Sequence, residues 1–431
     1  MKQFNKFIVA ILLSTLVMTA CTPVTPSPTP QTPDTVEPKD ITGSVSREET
    51  ISAPEDQIKA VAQGNNTFAF NLYRQLAAKD GNLVLSPYSI SQALAMTYAG
   101  AAGTTAEELA RVMQFNLAQD KFHPAFNSLD LTLRQQSLQD GKPLFEFNVA
   151  NALWGQKGYT FLEPFLNTVS KNYGGGLKEL DFARSEEARS AINRWVEAQT
   201  NNKIKDLIPP DALDELTRLV LTNAVYFKAP WAVQFQPEST QPGDFYLLNG
   251  TKTQVPFMHM QEGFYSSVTE DYQIVELPYK GYDFSMVILM PKDGTFTEFE
   301  KSLSAEKYQD LLTKLQVNQV VLAMPKFKIE STLGLKDSLQ QLGMSEAFSS
   351  NADFSGMTGS KELAISDVIQ KAFIDVNEEG TEAAAATAVI IGKTSMDPSE
   401  PLKITLDHPF IYLIKDRQTN SVLFMGRVVQ P

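Results

Sequence analysis

Three short stretches of this sequence carry residue types that do chemistry. Ser304-Ala305-Glu306-Lys307 is an S-x-x-K, a serine nucleophile spaced for a lysine partner. Its usual companions, S-D-N and K-T-G, occur nowhere, and the tetrapeptide sits among charges typical of a solvated helix start. Gly392-Lys393-Thr394 ends like a phosphate-binding loop, but the first glycine would fall on Thr387 and no helical pattern follows. His259 or His408 could serve a Ser-His-Asp triad, yet there is no G-x-S-x-G elbow. His408 stands between Asp407 and Pro409 at a strand start, where capping or packing is the simpler role. With His123 these are all the histidines, too few and too scattered for a metal site. The expectation is a chain without catalytic set, metal or cofactor, and not an enzyme.

Composition bounds what could position a site. The 431 residues are 43% hydrophobic and 20% charged, enough for a sizeable core. A single cysteine excludes a disulfide framework or a cysteine-rich zinc module. The net charge of −13 and the absence of any Lys/Arg run argue against a nucleic-acid partner. At the N-terminus, Lys2 and Lys6 precede the apolar stretch Phe7 to Met18, a secretory leader too short to span a bilayer as a permanent helix. Thr19-Ala20-Cys21 resembles a bacterial lipoprotein cleavage site, so Cys21 is the candidate lipidation residue and a membrane the candidate partner. The alternative is a plain signal peptide cut near Ala20. Losing Lys2 and Lys6 with the leader leaves 35 basic against 50 acidic residues, or −15. Pro23, Pro26, Pro28, Pro30, Pro33 and Pro38 follow, and no aromatic residue occurs between Phe7 and Phe68. The expected organisation is a leader over 1–20, a disordered Pro/Thr tether over 21–54 and one folded domain over 55–431.

In the folded part, helical spacing comes first, at Asp56 to Ala78, from Ser86-Pro87 through Met96, and at Glu186 to Asn201. Strand-like stretches dominate later, at Leu219 to Phe227, Ser285 to Met290, Val317 to Met324, Ile404 to Ile414 and Ser421 to Val429. Helices first and strands later, without regular alternation, predicts an α+β fold with a large sheet. After the strand-like Ala372 to Val376, about 25 residues from Asn377 to Pro401 have no obvious assignment, which in a compact domain points to a functional loop.

That loop holds Glu378-Glu379-Gly380-Thr381-Glu382-Ala383-Ala384-Ala385-Ala386-Thr387. Propensity reads it as a helix, with Thr381 as N-cap, acids at the positive end of the dipole and alanines behind. As a strand, one face would carry Thr381, Ala383, Ala385, Thr387, Val389 and Ile391, all uncharged, and no proline interrupts it before Pro398. The segment resembles the reactive-centre hinge of inhibitory serpins, the serine protease inhibitor superfamily. Similar matches run through the folded part: Ser86-Pro87-Tyr88-Ser89-Ile90, Asn151-Ala152-Leu153-Trp154, Leu221-Thr222-Asn223 with Trp231, Pro325-Lys326-Phe327, Asp407-His408-Pro409-Phe410 and Phe424-Met425-Gly426-Arg427.

The resemblance implies a serpin fold with several helices, three β-sheets and an exposed reactive-centre loop at about 377–401. It implies a monomeric suicide inhibitor of serine proteases, with cysteine proteases as a second target class, whose cleaved loop inserts into the main sheet. Counting Glu378 as the first hinge residue, the seventeenth is Thr394, which places the bait bond at Thr394-Ser395 and suits elastase-like proteases. Lys393, one residue earlier, is the alternative and suits trypsin-like enzymes. The shutter and breach beneath the opening sheet are expected at Ser86, Ser89, Asn223, Trp231 and Gln370, the last standing where the family usually has histidine. Glutamine can bond there but cannot titrate near neutrality. The competing readings are a serpin-fold binding or storage protein without inhibition, and a surface lipoprotein hydrolase. The expected location is outside the cell, held by lipid to a bacterial membrane, with the outer membrane or cell surface favoured.

Overall fold

The computed structural model describes residues 36–139, 142–381 and 400–431. Cys21, the hinge residues Glu382, Ala383, Ala384, Ala385, Ala386 and Thr387, and the bait residues Lys393, Thr394 and Ser395 lie outside the described residues. The folded unit begins at Val36.

Mixed helix and strand is what the periodicity predicts and what forms. Helix α1 (Glu55–Leu76) follows Pro54, has Glu55 and Asp56 in its first turn, and buries Ile58, Val61, Phe68 and Leu72. Ser86 caps α2 (Pro87–Tyr98), with Pro87 in the first turn, where a missing N–H costs nothing. Every residue of α2 is buried, so this helix runs through the interior. Helices α3 (Gln119–Gln136), α4 (Glu163–Tyr173) and α5 (Ser185–Gln199) follow.

Seven strands make the sheet that matters for function. In chain order they are β1 (Lys39–Ile41), β2 (Glu146–Gln156), β3 (Leu177–Leu180), β4 (Leu219–Pro230), β5 (Phe327–Gly334), β6 (Ile365–Val376) and β7 (Gly380–Thr381). Across the sheet the order is β1-β3-β2-β4-β7-β6-β5. A nine-stranded sheet supplies much of the core. Its strands Phe410–Asp416 and Val422–Val428 are buried at every position, each large apolar side chain there contributing about 1.5–3 kcal/mol by leaving water. A two-residue pair, Leu138–Gln139 with Lys142–Pro143, forms the third sheet.

Two boundaries differ from the sequence reading. The stretch Ile404 to Ile414 is two strands, Leu402–Thr405 and Phe410–Asp416, because Pro409 cannot donate to a ladder and His408 turns aside. The histidine ring bonds Asp407 Oδ1 and the Pro291 carbonyl, each at 2.8 Å. Burial lowers its pKa, but these bonds outweigh burial and the net shift is upward.

Residues 36–54, read from composition as tether, belong to the folded unit. β1 pairs antiparallel with β3, Gly43 N–H donates to Ser170 Oγ at 2.9 Å and Ser44 N–H to Asn167 Oδ1 at 2.8 Å. Arg47 reaches Asn127 Oδ1 at 2.9 Å and pairs with the buried Asp130. Backbone bonds and one arginine hold this strap with little apolar burial, which is why hydrophobic pattern alone does not reveal it.

Candidate functional site

The site is a slot between β4 and β6. These strands run parallel and pair directly from Leu219 and Ile365 up to Tyr226 and Phe373, with Asn223 opposite Gln370. Above that level they part, and β7 enters between them, antiparallel to both. Gly380 faces Pro230, and Thr381 faces Ala229 on one side and Val376 on the other.

The turn that feeds β7 comes from Asn377. Its side-chain oxygen accepts from Glu379 N–H at 3.0 Å and Gly380 N–H at 3.3 Å, and its own N–H donates to the Gly380 carbonyl at 2.9 Å. Gly380 must be glycine, because a Cβ there would lie 2.1 Å from the Ala229 carbonyl oxygen. Thr381 is fully buried and its hydroxyl meets Tyr279 OH at 2.7 Å. Burial pushes the Tyr279 phenol up, partly offset by that bond. Trp231 stacks on Tyr279 with ring centroids 4.6 Å apart and donates through Nε1 to the Asn377 carbonyl at 3.0 Å. The backbone N–H groups of Trp231 and Phe235 donate to the carbonyls of Glu379 and Glu378, both at 3.0 Å.

Glu378 is tied by its side chain as well, to Lys326 Nζ at 2.8 Å and Thr240 Oγ1 at 2.8 Å. Burial raises its pKa, but the Lys326 bond, backbone bonding and the Thr240 bond outweigh it and leave the carboxyl below its ordinary value. A depressed carboxyl stabilises the docked hinge above the ordinary glutamate range and stops doing so as pH falls through the lowered value. In Lys326→Ala the carboxyl loses that support and the hinge should release at higher pH than in wild type. Trp231 fluorescence in an acid titration reads this, and an unchanged midpoint would refute it.

Midway down the slot, Gln370 closes the sheet. Its carbonyl accepts from Ser86 N–H at 3.0 Å, and its amide donates to the Ser86 carbonyl at 3.0 Å and to Asn223 Oδ1 at 2.5 Å. Asn223 in turn donates to Ser89 Oγ and Asn151 Oδ1. Ser86 Oγ donates to the Leu423 carbonyl at 2.6 Å. Ser86, Ser89, Asn223 and Gln370 are fully buried, so the cluster stands on complete hydrogen bonding.

The expected residues therefore fall into two described groups, Trp231 with Glu378, Glu379, Gly380 and Thr381 at the slot mouth, and Ser86, Ser89, Asn223 and Gln370 at its middle. Sequence reasoning missed Tyr279, Lys326 and Thr240 at the mouth and the linking role of Asn151. An asparagine standing within the apolar run Val149 to Trp154 is the signal that could have flagged Asn151, which is half-buried. Among the short matches, Ser304 caps the helix Ala305–Thr313 by accepting from Lys307 N–H at 3.2 Å, while the Lys307 ammonium turns to Ser302 Oγ at 2.6 Å. That is helix capping and no catalytic pair. His123 bonds Tyr173 OH at 2.6 Å, and burial pushes its pKa down to about 4. Among the described residues no cluster of His, Cys, Asp and Glu has the makings of a metal site.

Gly380 and Thr381 are thus docked as a short strand where β4 and β6 part, above a buried polar cluster. The chain matches the family model described as serpin (serine protease inhibitor) over residues 63–431. It is 42% identical over 408 residues to an uncharacterized serpin-like protein of Thermococcus kodakarensis, covering 94% of each chain. It is 38% identical to leukocyte elastase inhibitor A of Rattus norvegicus, covering 87% of this chain and all of that one. Among solved structures it is similar to Serpin48 of the insect Tenebrio molitor, with a TM-score of 0.77 at 33% identity, over 88% of this chain and all of that one. The chain belongs to the serpin family.

Proposed function

We propose that this chain inhibits serine proteases as a suicide substrate whose cleaved loop becomes a new strand between β4 and β6. The observation that carries the reading is the docking of Gly380 and Thr381 at the top of that slot. Continuing the pairing of Thr381 with Ala229 down β4 brings Thr387 level with Asn223 and Ile391 level with Leu219. Continuing its pairing with Val376 down β6 brings Thr387 level with Gln370. Asn223 and Gln370 are already partners in the parallel register whose continuation sets Ala229 level with Val376, so both pairings bring Thr387 to the same place. Gly380 to Ile391 thus matches β4 in length, and the bait residues arrive just beyond its far end.

Thr381 also selects the row that faces inward. It is the buried residue, so Ala383, Ala385, Thr387, Val389 and Ile391 would follow it inside and Glu382 would face out. Insertion replaces one strand pairing by two. A net gain of roughly ten backbone hydrogen bonds at about 1 kcal/mol each is on the order of 10 kcal/mol. A protease domain is itself stable by only about 5–15 kcal/mol, so the gain suffices to distort it.

The covalent step is the protease's own. Its serine Oγ attacks the Thr394 carbonyl carbon, an ester C–O bond forms, the Thr394-Ser395 C–N bond breaks, and the serine proton passes through the protease base to the departing Ser395 amine. Insertion of the freed strand must then outrun water's attack on the ester. The small Thr394 side chain suits elastase-like pockets, in keeping with the elastase inhibitor among the relatives, and Lys393 provides a secondary trypsin-like bond. We further propose that Cys21 carries lipid and holds the inhibitor on the outer face of a bacterial membrane, working as a monomer.

Incubation with pancreatic elastase and with trypsin, then denaturing electrophoresis and mass measurement of the released peptide, tests both points. The expected result is a denaturant-stable complex with elastase and a C-terminal peptide beginning at Ser395. Cleavage by both enzymes without any stable complex would remove the inhibitory reading for these targets.

A further inference from the structure

An amine, a carboxamide and a carboxylate meet in a buried corner that neither the hinge nor the clamp uses. Lys415 stands near the end of the buried strand Phe410–Asp416, and Asn420 follows in the turn before the strand Val422–Val428. Lys415 is 5% exposed, and its Nζ donates to Asn420 Oδ1 at 3.0 Å. Glu276, 7% exposed on the strand Tyr272–Pro278, holds Oε1 3.5 Å from the same Nζ.

All three groups are fixed in place. The Asp416 carboxylate accepts from Gln418 N–H at 3.2 Å and Thr419 N–H at 2.7 Å, and Asp416 N–H donates to the Ser421 carbonyl at 3.0 Å, which sets the turn. Asn420 is left-handed, with φ 57°, a conformation asparagine tolerates, and its carbonyl accepts from Asn66 Nδ2 at 2.7 Å. Ser285, opposite Lys415 in the ladder, donates through Oγ to Glu276 Oε1 at 2.7 Å, and Arg417 Nε donates to the same oxygen at 3.1 Å.

Charge decides what this corner favours. An ammonium so deeply buried is costly to keep. Burial lowers the pKa of Lys415; Glu276 opposes that shift and Arg417 adds to it. Turning the amine into an amide would remove the buried positive charge. Glu276 would still have Ser285 and Arg417 as partners, so no carboxylate is left alone.

We propose that Lys415 and Asn420 react with each other in the folded protein, forming an isopeptide bond that closes the hairpin between the strands Phe410–Asp416 and Val422–Val428. Glu276 takes a proton from the Lys415 ammonium, and the freed Nζ attacks Asn420 Cγ. The Nζ–Cγ bond forms and the Cγ–Nδ2 bond breaks. Two of the three ammonium protons pass through Glu276 to Nδ2, which leaves as an ammonium ion, and nothing is oxidised or reduced. A cleft of about 430 Å³, lined by Tyr265, Glu276, Leu312, Lys415, Arg417 and Asn420, gives that ion a way out. The reaction needs only the folded arrangement and is independent of protease inhibition and of the lipid anchor.

Peptide masses from the full-length folded protein, denatured and then digested with trypsin, test this. Trypsin cuts after a free lysine and not after an acylated one. The expected result is a product in which residues 404–417 and 418–427 stay joined, uncut after Lys415, at a mass one ammonia below the sum of the two peptides. Asn420→Gly keeps a left-handed turn without the carboxamide, and should be cut after Lys415. Glu276→Gln, checked as folded by cooperative thermal unfolding, should crosslink about a hundredfold more slowly in freshly synthesised protein, the usual loss with a general base. Complete cleavage after Lys415 in aged, folded wild type overturns the isopeptide bond. A crosslink that forms as fast in Glu276→Gln as in wild type overturns the assisted reaction.

Discussion

Thr381→Arg is expected to turn the protein from inhibitor into substrate: elastase still cleaves the loop, and almost no denaturant-stable complex remains. Thr381 is fully buried between Ala229 and Val376, and its hydroxyl is satisfied by Tyr279 at 2.7 Å. A guanidinium at that position would meet a phenol and two carbon side chains, with no carboxylate facing it in the ladder. Burying an unpaired charge costs several kcal/mol, so the variant hinge stays out of the sheet. The outcome after acylation is a race between strand insertion and hydrolysis of the ester. An increase of about 3 kcal/mol in the insertion barrier slows insertion more than a hundredfold, enough for hydrolysis to win. Thr381→Val separates charge from hydrogen bonding. It keeps shape and removes one bond, at about 1–3 kcal/mol for the buried Tyr279 hydroxyl left behind, and should retain most complex formation. Cleaved wild-type protein should unfold at a markedly higher temperature than the uncleaved form, a gain that cleaved Thr381→Arg lacks. Undiminished complex formation by Thr381→Arg would count against strand insertion.

The physics of each region explains how much of this was legible in the sequence. Helix α2 was readable because Ser86 at its cap and Pro87 in its first turn are local signals. Strand β4 was readable, and β6 only over its last five residues, Ala372 to Val376, because β-branched and aromatic runs suit a buried sheet while Ser366, Asp367, Gln370 and Lys371 interrupt the start of β6. The hinge was more ambiguous. Its alanines favour a helix, and only the resemblance to a known family pointed to a strand, which the pairing of Gly380 and Thr381 then matches at two residues. The strap over 36–54 was illegible because its polar bonds leave no periodic apolar trace. Tyr279 and Lys326 were missed for a different reason. Each lies far along the chain from the hinge, and only the folded register brings Tyr279 against Thr381 and Lys326 against Glu378. Gln370 was legible only as standing where the family usually has histidine, and its three-way bonding to Ser86 and Asn223 is a fact of tertiary structure.

That bonding makes Gln370→Ala the second large effect, an inhibitor that inactivates itself. Removing the amide leaves the Ser86 N–H and Asn223 Oδ1 without the partner that held them in a fully buried place, while the Ser86 carbonyl keeps its bond from Ile90 N–H. Each such loss costs about 1–3 kcal/mol. The loss falls unequally on the two states. In the inserted state Thr387 would stand between Asn223 and Gln370, so the bond between them is already given up there. The closed sheet bears most of the penalty and the barrier to opening falls. A drop of about 2 kcal/mol accelerates opening roughly thirtyfold. On mild heating, Gln370→Ala should therefore lose inhibitory activity far faster than wild type without unfolding, and become resistant to cleavage in its loop. Gln370→His refines the argument. A neutral imidazole has one donor and one acceptor, so it cannot serve both Ser86 groups and Asn223, and it titrates near pH 6.5 where the amide does not. Ser86, Ser89, Gln92, Asn151 and Asn223, the side chains bonded in this cluster, are all neutral. Burial raises the pKa of Asp130 beyond Gln92, but Arg134 and Arg47 outweigh it and hold it below its ordinary value, so the wild-type clamp itself should be insensitive to pH between 5.5 and 8. The histidine variant should self-inactivate with a pH dependence centred on its imidazole. Equal pH dependence in wild type and Gln370→His would show that the clamp does not control opening of the sheet.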